Sequence, residues 1–236
     1  MAEQLTLQFD NNAEQSFASF YTGDNLETVK HLSNIANKTG EQQLFIWGTE
    51  GTGKSHLLQA CCQAAHKNNL TGFYLDLSNH HLTDPSILEG LESFDLVCLD
   101  NIQHCSNNSA WELSLFNFYN RQRANDSCLV ISGNCPPKFL MIQLADLKTR
   151  LAWGLTLKLH KLSDEDLIAA FTCKAKYLGL DIPASVGEFI NKNYTRDLAS
   201  LWRLLPKLEQ ATLVAKRKLS IPFLKEILSA EEEKTN

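Results

Sequence analysis

The chain has 236 residues, enough for one sizeable core or a main domain with a small appendage, and its 44% hydrophobic and 21% charged residues are those of an ordinary globular protein. A formal charge of -5 argues against a broad basic surface for gripping nucleic acid. The N-terminus lacks the basic and long apolar regions of a signal peptide, and no apolar run approaches transmembrane length, so a cytoplasmic location without membrane contact is expected.

At residues 4–9, Gln4-Leu5-Thr6-Leu7-Gln8-Phe9 sets a polar anchor before apolar residues at alternate positions. The six residues alone suit two readings: an extended peptide that puts Leu7 and Phe9 into an apolar pocket, or a short edge strand or disordered start. Further on, short apolar runs alternate with helical patterns. Strands are expected at 44–47, 72–77, 96–99, 129–132 and 155–159, with helices near 54–66, 85–91 and 110–123. This alternation predicts an α/β fold, a five-stranded mainly parallel sheet flanked by helices on both faces, with ligands at the carboxyl ends of the strands.

Between the first strand and the first helix lies Gly48-Thr49-Glu50-Gly51-Thr52-Gly53-Lys54-Ser55, which matches G-x-x-x-x-G-K-[ST] at every required position. In a strand-loop-helix setting this is a P-loop. The glycines let backbone N–H groups face phosphates, the helix adds its positive end, Lys54 reaches the β- and γ-phosphates, and Ser55 holds Mg²⁺. The third strand ends in Asp100, the carboxylate that a P-loop protein uses to orient Mg²⁺ and its water shell. Asn101 follows. An amide positions water but takes no proton, so the site is expected to hold nucleotide better than it hydrolyses it.

Seven cysteines, an odd number without a C-x-x-C pair, fall mostly in apolar segments and read as buried free thiols of a reducing compartment. His80-His81 and the other histidines lack metal-ligand spacing. From about residue 162 strands give way to four helical stretches. Ser163 suits a cap before 167–178, Gly179 a stop, and Pro183 the first turn of a second helix. A third helix is expected at 196–216, and Ser220 is placed to cap a last one at 222–228.

Phe17-Ala18-Ser19-Phe20 with Gly23-Asp24-Asn25, the P-loop, Leu99-Asp100-Asn101-Ile102, Trp111-Glu112 with Phe116 and Tyr119-Asn120-Arg121, Leu147-Lys148-Thr149-Arg150-Leu151-Ala152-Trp153-Gly154, and Leu162-Ser163-Asp164-Glu165-Asp166 together resemble the DnaA-related regulators of the AAA+ initiator clade. Arg217-Lys218-Leu219-Ser220-Ile221-Pro222-Phe223 extends the likeness to nearly the whole chain. The resemblance implies an AAA+ base at 15–161, a small all-α lid at 162–230, a clamp-binding segment at 1–14 and a flexible tail at 231–236. It implies a nucleotide site for ADP or ATP with Mg²⁺, made by Phe20, Gly23, Asn25, the P-loop with His56, Asp100, Asn101, Asn134 at the sensor-1 position and Arg196 as sensor 2, the metal being held through Ser55 and Asp100.

The same resemblance makes Arg150 an arginine finger that points into a neighbour's site. It turns Gln4, Leu5, Leu7 and Phe9 into a motif for the DNA polymerase sliding clamp, the β subunit. The implied function is to stimulate hydrolysis of ATP bound to DnaA and so repress replication initiation, with DNA reached indirectly through the clamp and a homo-oligomer possible. Initiators of the clade carry a further C-terminal DNA-binding domain, and the chain ends where the lid helices end, which points to a regulator. Two alternatives stay open: a DnaA-like or helicase-loader-type ATPase acting on DNA through its own cycle, and a nucleotide-dependent interaction module without catalytic contribution.

Overall fold

The computed structural model describes residues 15–82, 84–193 and 198–235, so the 4–9 hexapeptide and Arg196 lie outside the described residues. Five strands, β1 (Gln43–Trp47), β2 (Gly72–Asp76), β3 (Leu96–Asp100), β4 (Cys128–Gly133) and β5 (Leu155–Lys158), form one wholly parallel sheet in the order β2-β3-β4-β1-β5. The central strands are almost wholly apolar because both faces are covered, Asp100 of β3 and Ser132 of β4 being polar near their carboxyl ends. Phe45, Val97, Leu99, Leu129 and Ile131 pack with Trp111, Leu115 and Phe118 of α3 (Ser109–Gln122) and Leu147 of α4 (Ala145–Leu151). Their sequence neighbours Leu44, Ile46, Leu96, Cys98 and Val130 point the other way. They meet Leu32 and Ile35 of α1 (Leu26–Ala36) and Leu57, Leu58 and Cys61 of α2 (Lys54–Lys67).

Two helices were not foreseen. In α1 the buried positions Thr28, Leu32, Ile35 and Ala36 are helically spaced but interleaved with polar residues, and α4 has only 7 residues, too few for a period to show. The helix expected at 85–91 is instead two 3₁₀ turns, Pro85–Leu88 and Leu91–Ser93, because Gly90 adopts φ +83° between them and breaks the run. All seven cysteines are free thiols, five of them buried, with Cys135 half-buried and Cys173 exposed.

Beyond β5 come α5 (Asp164–Tyr177), α6 (Ala184–Asn193), α7 (Leu198–Ala215) and α8 (Ile221–Thr235). Ser163 Oγ accepts the Asp166 N–H at 3.1 Å as the N-cap of α5, and Gly179 at φ +81° follows the helix end. These helices share a separate apolar core that includes Phe171, Leu201, Leu204, Leu208 and Leu224. Pro206 sits inside α7. Lacking an N–H, it leaves the Trp202 carbonyl without its usual helical donor.

The segment preceding α1 straps the sheet domain to these helices. Asn25 is buried and pairs with the His160 backbone in both directions, donating from Nδ2 to the carbonyl at 3.0 Å and accepting the N–H at 2.7 Å. Tyr21 Oη donates to Asp166 Oδ1 of α5 at 3.0 Å. Phe20 lies against His56, ring centroids 5.4 Å apart, and His56 Nε2 is 3.0 Å from the Ser16 carbonyl oxygen.

Two expectations follow. A Cβ on Gly154 would lie 2.1 Å from the Gln43 carbonyl oxygen at the start of β1. Gly154→Ala should therefore lower unfolding free energy by about 3 kcal/mol, the upper end for overpacking, measured by urea denaturation. Burial holds the His56 pKa below its ordinary value of 6.5, and Lys174 adds to this against the opposing Ser16 carbonyl. The unfolded chain then takes up the proton first, so this stabilisation is complete above pH 6.5 and is lost as pH falls from there toward the depressed folded value. Melting temperatures between pH 7.5 and 5.5 should drop more steeply for wild type than for His56→Gln; equal slopes would remove His56 as the cause.

Candidate functional site

The P-loop leaves the end of β1 and runs into α2. Gly48 is pressed against the end of β5, where a Cβ would sit 2.7 Å from the Leu159 carbonyl oxygen, and Gly48 N–H donates to the Gly133 carbonyl of β4 at 3.2 Å. At Gly53, φ is +91° and a Cβ would lie 2.7 Å from Phe20 Cε2, so both backbone freedom and close approach require glycine there. Thr52 Oγ1 donates to the Thr49 carbonyl at 2.9 Å. Lys54 is only 8% exposed, and its Nζ donates to the carbonyls of Gly48 at 2.9 Å and Thr49 at 3.0 Å. Burial lowers the pKa of this ammonium, while the carboxylates of Asp100 and Glu50 oppose the shift.

Asp100 closes β3 with none of its surface exposed. It accepts from Tyr74 Oη of β2 at 2.8 Å on Oδ2 and from Ser132 Oγ of β4 on Oδ1. Asn101 follows at φ 60°, a left-handed conformation that asparagine tolerates, with its N–H on Ser132 Oγ at 3.0 Å. Its side-chain Nδ2 donates to Asp76 Oδ1 at 2.9 Å.

A polar cavity of about 860 Å³ lies over the carboxyl ends of these strands. Thr49, Glu50, Gly51, Gly53, Lys54, Ser55 and His56 form one wall, and Asn101, Gln103, His104 and Asn134 form the other. Ser78 after β2, with Gln15 from the strap and Trp202 from α7, completes it. An apolar cavity of about 290 Å³ shares Gly53, His56, Gln15 and Trp202 with it and continues between strap and helices, lined by Phe20, Tyr21, Ala170, Leu205 and Pro206 with Lys174 and Glu209 at polar positions. A cation amid backbone turns beside an apolar slot is an arrangement for a phosphate tail attached to a heteroaromatic group.

The structure thus brings together Phe20, residues 49–51 and 53–56, Asn101 and Asn134. Thr52 lines the apolar slot, while Gly48 and the buried Asp100 support the cavity from behind. Gly23 and Asn25 lie at the junction of sheet and helices. A Cβ on Gly23 would meet Leu162 Cδ2 at 2.9 Å, and both polar ends of Asn25 are committed to His160. Sequence reasoning missed Tyr74, Asp76, Ser132, Lys174 and Trp202. A polar residue inside an apolar strand was the one available signal for Ser132, whereas nothing local marks Lys174 or Trp202.

Arg150 is elsewhere. Its carbonyl accepts Gln43 Nε2 at 2.9 Å, at the start of β1, whereas the P-loop begins at that strand's other end. Its guanidinium donates to Asn120 Oδ1 and lies 4.1 Å from the Phe116 ring centroid and 5.4 Å from that of Trp153. Trp153 is 45% exposed and carries Arg123 at 4.8 Å as well. The result is a half-exposed aromatic and cationic patch on the edge away from the cavity.

Comparison with known proteins agrees with this architecture. Residues 11–158 match the model of the bacterial DnaA ATPase domain, and residues 164–228 match that of the Hda lid domain. Domain III of the Thermotoga maritima replication initiation protein DnaA superposes with a TM-score of 0.78 at 22% identity, covering 93% of this chain and 97% of that one. AMPPCP-bound DnaA from Aquifex aeolicus gives 0.68 at 23% identity over 84% of this chain and 65% of that one. The Thermotoga maritima RuvB Holliday junction branch migration motor gives 0.65 at 16% identity over 91% and 73%. With the P-loop, the parallel sheet and a helical lid in place, the chain belongs to the family of the bacterial DnaA ATPase domain, a DnaA-related AAA+ protein whose lid is of the Hda type.

Proposed function

We propose that the protein is a repressor of replication initiation that binds ADP or ATP between base and lid, docks on the DNA polymerase sliding clamp, and stimulates hydrolysis of ATP held by DnaA through Arg150. The observation that carries this reading is the separation of Arg150 from its own P-loop. The two lie at opposite ends of β1, roughly 15 Å of strand apart, and Arg150 faces outward with Phe116, Trp153 and Asn120 as its supports. A guanidinium so placed serves a nucleotide only if a neighbouring molecule presents it. The family match supports DnaA as that neighbour.

The domain reading is a base at 15–161 and a lid at 162–230. In the nucleotide site the polar cavity takes the phosphates and the slot under Phe20 and Trp202 takes the base. The AMPPCP bound by the Aquifex aeolicus relative supports an adenine nucleotide. Ser55 and Asp100 offer oxygen donors, the set a hard cation prefers. Ser55 lines the cavity, whereas Asp100 is buried behind it with a hydroxyl bond on each oxygen, so Ser55 would hold Mg²⁺ directly and Asp100 would add its negative charge from behind; the ion would neutralise phosphate charge. Lys54 would supply the remaining cation. Asn101 offers an acceptor without a base, which supports slow intrinsic turnover. Clamp docking rests on the sequence of Gln4, Leu5, Leu7 and Phe9, and a sensor role for Arg196 rests on its sequence position.

Lys54→Ala removes the cation inside the P-loop and should weaken ADP and ATP binding at least tenfold, about 1.4 kcal/mol, in calorimetric titration of the folded variant; an unchanged affinity would remove the nucleotide assignment. Arg150→Ala should keep nucleotide and clamp binding yet lose a factor of roughly 10³ or more in the stimulated hydrolysis of DnaA-bound ATP, measured in single turnover with clamp and DNA saturating. Lysine should rescue poorly because one ammonium does not reproduce the planar fork. Equal rates for wild type and Arg150→Ala would leave a non-catalytic docking module.

A further inference from the structure

Strands β2 and β3 pair in register with Asp76 opposite Asp100, so Asn101 emerges beside the end of β2. There Asp76 Oδ1 accepts Asn101 Nδ2 and the Ser78 N–H, each at 2.9 Å, and Oδ2 accepts Ser78 Oγ at 2.8 Å. A carboxylate only accepts hydrogen bonds, so the end of the amide facing it is the NH₂ group. The Asn101 carbonyl oxygen is turned to the other side, 3.4 Å from Gln103 Nε2. Asn101, Gln103 and Ser78 all line the cavity that contains Lys54, and the Asn101 backbone is pinned to Ser132. Burial pushes the Asp76 carboxyl up, but the bonds from Asn101 and Ser78 outweigh it and hold the carboxyl below its usual range.

We propose that Asp76 is a positioning residue of the nucleotide site, holding the Asn101 amide so that its carbonyl oxygen, and not its NH₂, is presented to water beside the γ-phosphate. This rests on the reading of the cavity as an ATP site. The second acid of the site is therefore present but stands one strand away from the position where hydrolysis would use it. Three donors occupy it, and it acts only through Asn101. In the hydrolytic step the water oxygen bonds to the γ-phosphorus, the bond to the β,γ-bridging oxygen breaks with its electron pair kept by the departing ADP, and the water's proton passes to an oxygen of the phosphate released. The amide at 101 orients that water but takes no proton from it.

One consequence concerns repair of the site. Asn101→Asp alone puts two carboxylates at hydrogen-bond distance, and their repulsion is relieved by a shared proton or by displacement of the new acid, neither of which leaves a free carboxylate in place at 101. Exchanging the pair, Asp76→Asn with Asn101→Asp, keeps the net charge and the 76–101 bond, with the amide at 76 now donating to a carboxylate at 101 at the cost of the bond that Oδ1 accepts from the Ser78 N–H. Lys54, Glu50 and His104 around the cavity are unchanged by the exchange. Left-handed φ at 101 suits aspartate as it does asparagine.

The test measures ATP affinity by calorimetry and intrinsic single-turnover hydrolysis for wild type, Asp76→Asn, Asn101→Asp and the double exchange. The exchange should be at least about tenfold faster than Asn101→Asp, below the roughly 10² to 10⁴-fold that a placed base contributes, with ATP affinity within about threefold throughout. Asp76→Asn alone should gain nothing. Asp76→Ser with Asn101→Asp, which removes the repelling charge without restoring the donor geometry, should fall between the single variant and the exchange and guards against a misfolded single variant. If wild type binds ATP and Asn101→Asp is as fast as the exchange, the proposal fails while the nucleotide reading stands. If wild type binds no ATP, the reading and the proposal fall together.

Discussion

A carboxylate with no surface in water is costly unless every neighbour compensates it, and Asp100 sets that condition at the carboxyl end of β3, between β2 and β4. Its two oxygens are met by hydroxyls from the strands on either side, Tyr74 of β2 and Ser132 of β4. Ser132 in turn accepts the Asn101 N–H, so the turn after β3 is locked to the end of β4. From β4 the constraint passes to the P-loop through the bond from Gly48 N–H to the Gly133 carbonyl. One buried acid thus aligns three neighbouring strand ends and, through them, the loop that surrounds Lys54.

A second layer of organisation joins this edge to the lid. The strap before α1 touches the P-loop with Phe20, receives His56 on the Ser16 carbonyl, and binds the lid and its junction through Tyr21 and Asn25. A ligand filling the slot between Phe20 and Trp202 would touch P-loop, strap and α7 at once. Its binding energy is therefore coupled to the base–lid relation. Arg150 is outside this circuit, supported by aromatic rings near the amino end of β1. Under the proposed function, the separation would let one molecule hold its own nucleotide and offer a cation to another.

Much of this was legible in the residues because it is encoded contiguously. The P-loop is eight consecutive positions, the strands are short apolar runs, and Asp100 is marked by ending one of them. Period also disclosed the lid helices. It failed for α4, which is too short, and for 85–91, where Gly90 interrupts a run that otherwise looks helical.

By itself the sequence determined the fold class, the phosphate-binding loop, the acid at the end of β3 and the amide after it, since each is a local pattern imposed by backbone geometry. Only the tertiary structure decided that Asp76 faces Asn101, that Tyr74 and Ser132 satisfy Asp100, that Trp202 and Lys174 close the slot, and that Asn25 ties the lid. It also placed Arg150 far from the P-loop that precedes it in the chain. These relations depend on strand order and register, and β2-β3-β4-β1-β5 is not the order of the chain. A one-residue change of register would turn every strand side chain to the other face, and it is packing of the two apolar layers, not any local signal, that selects the register.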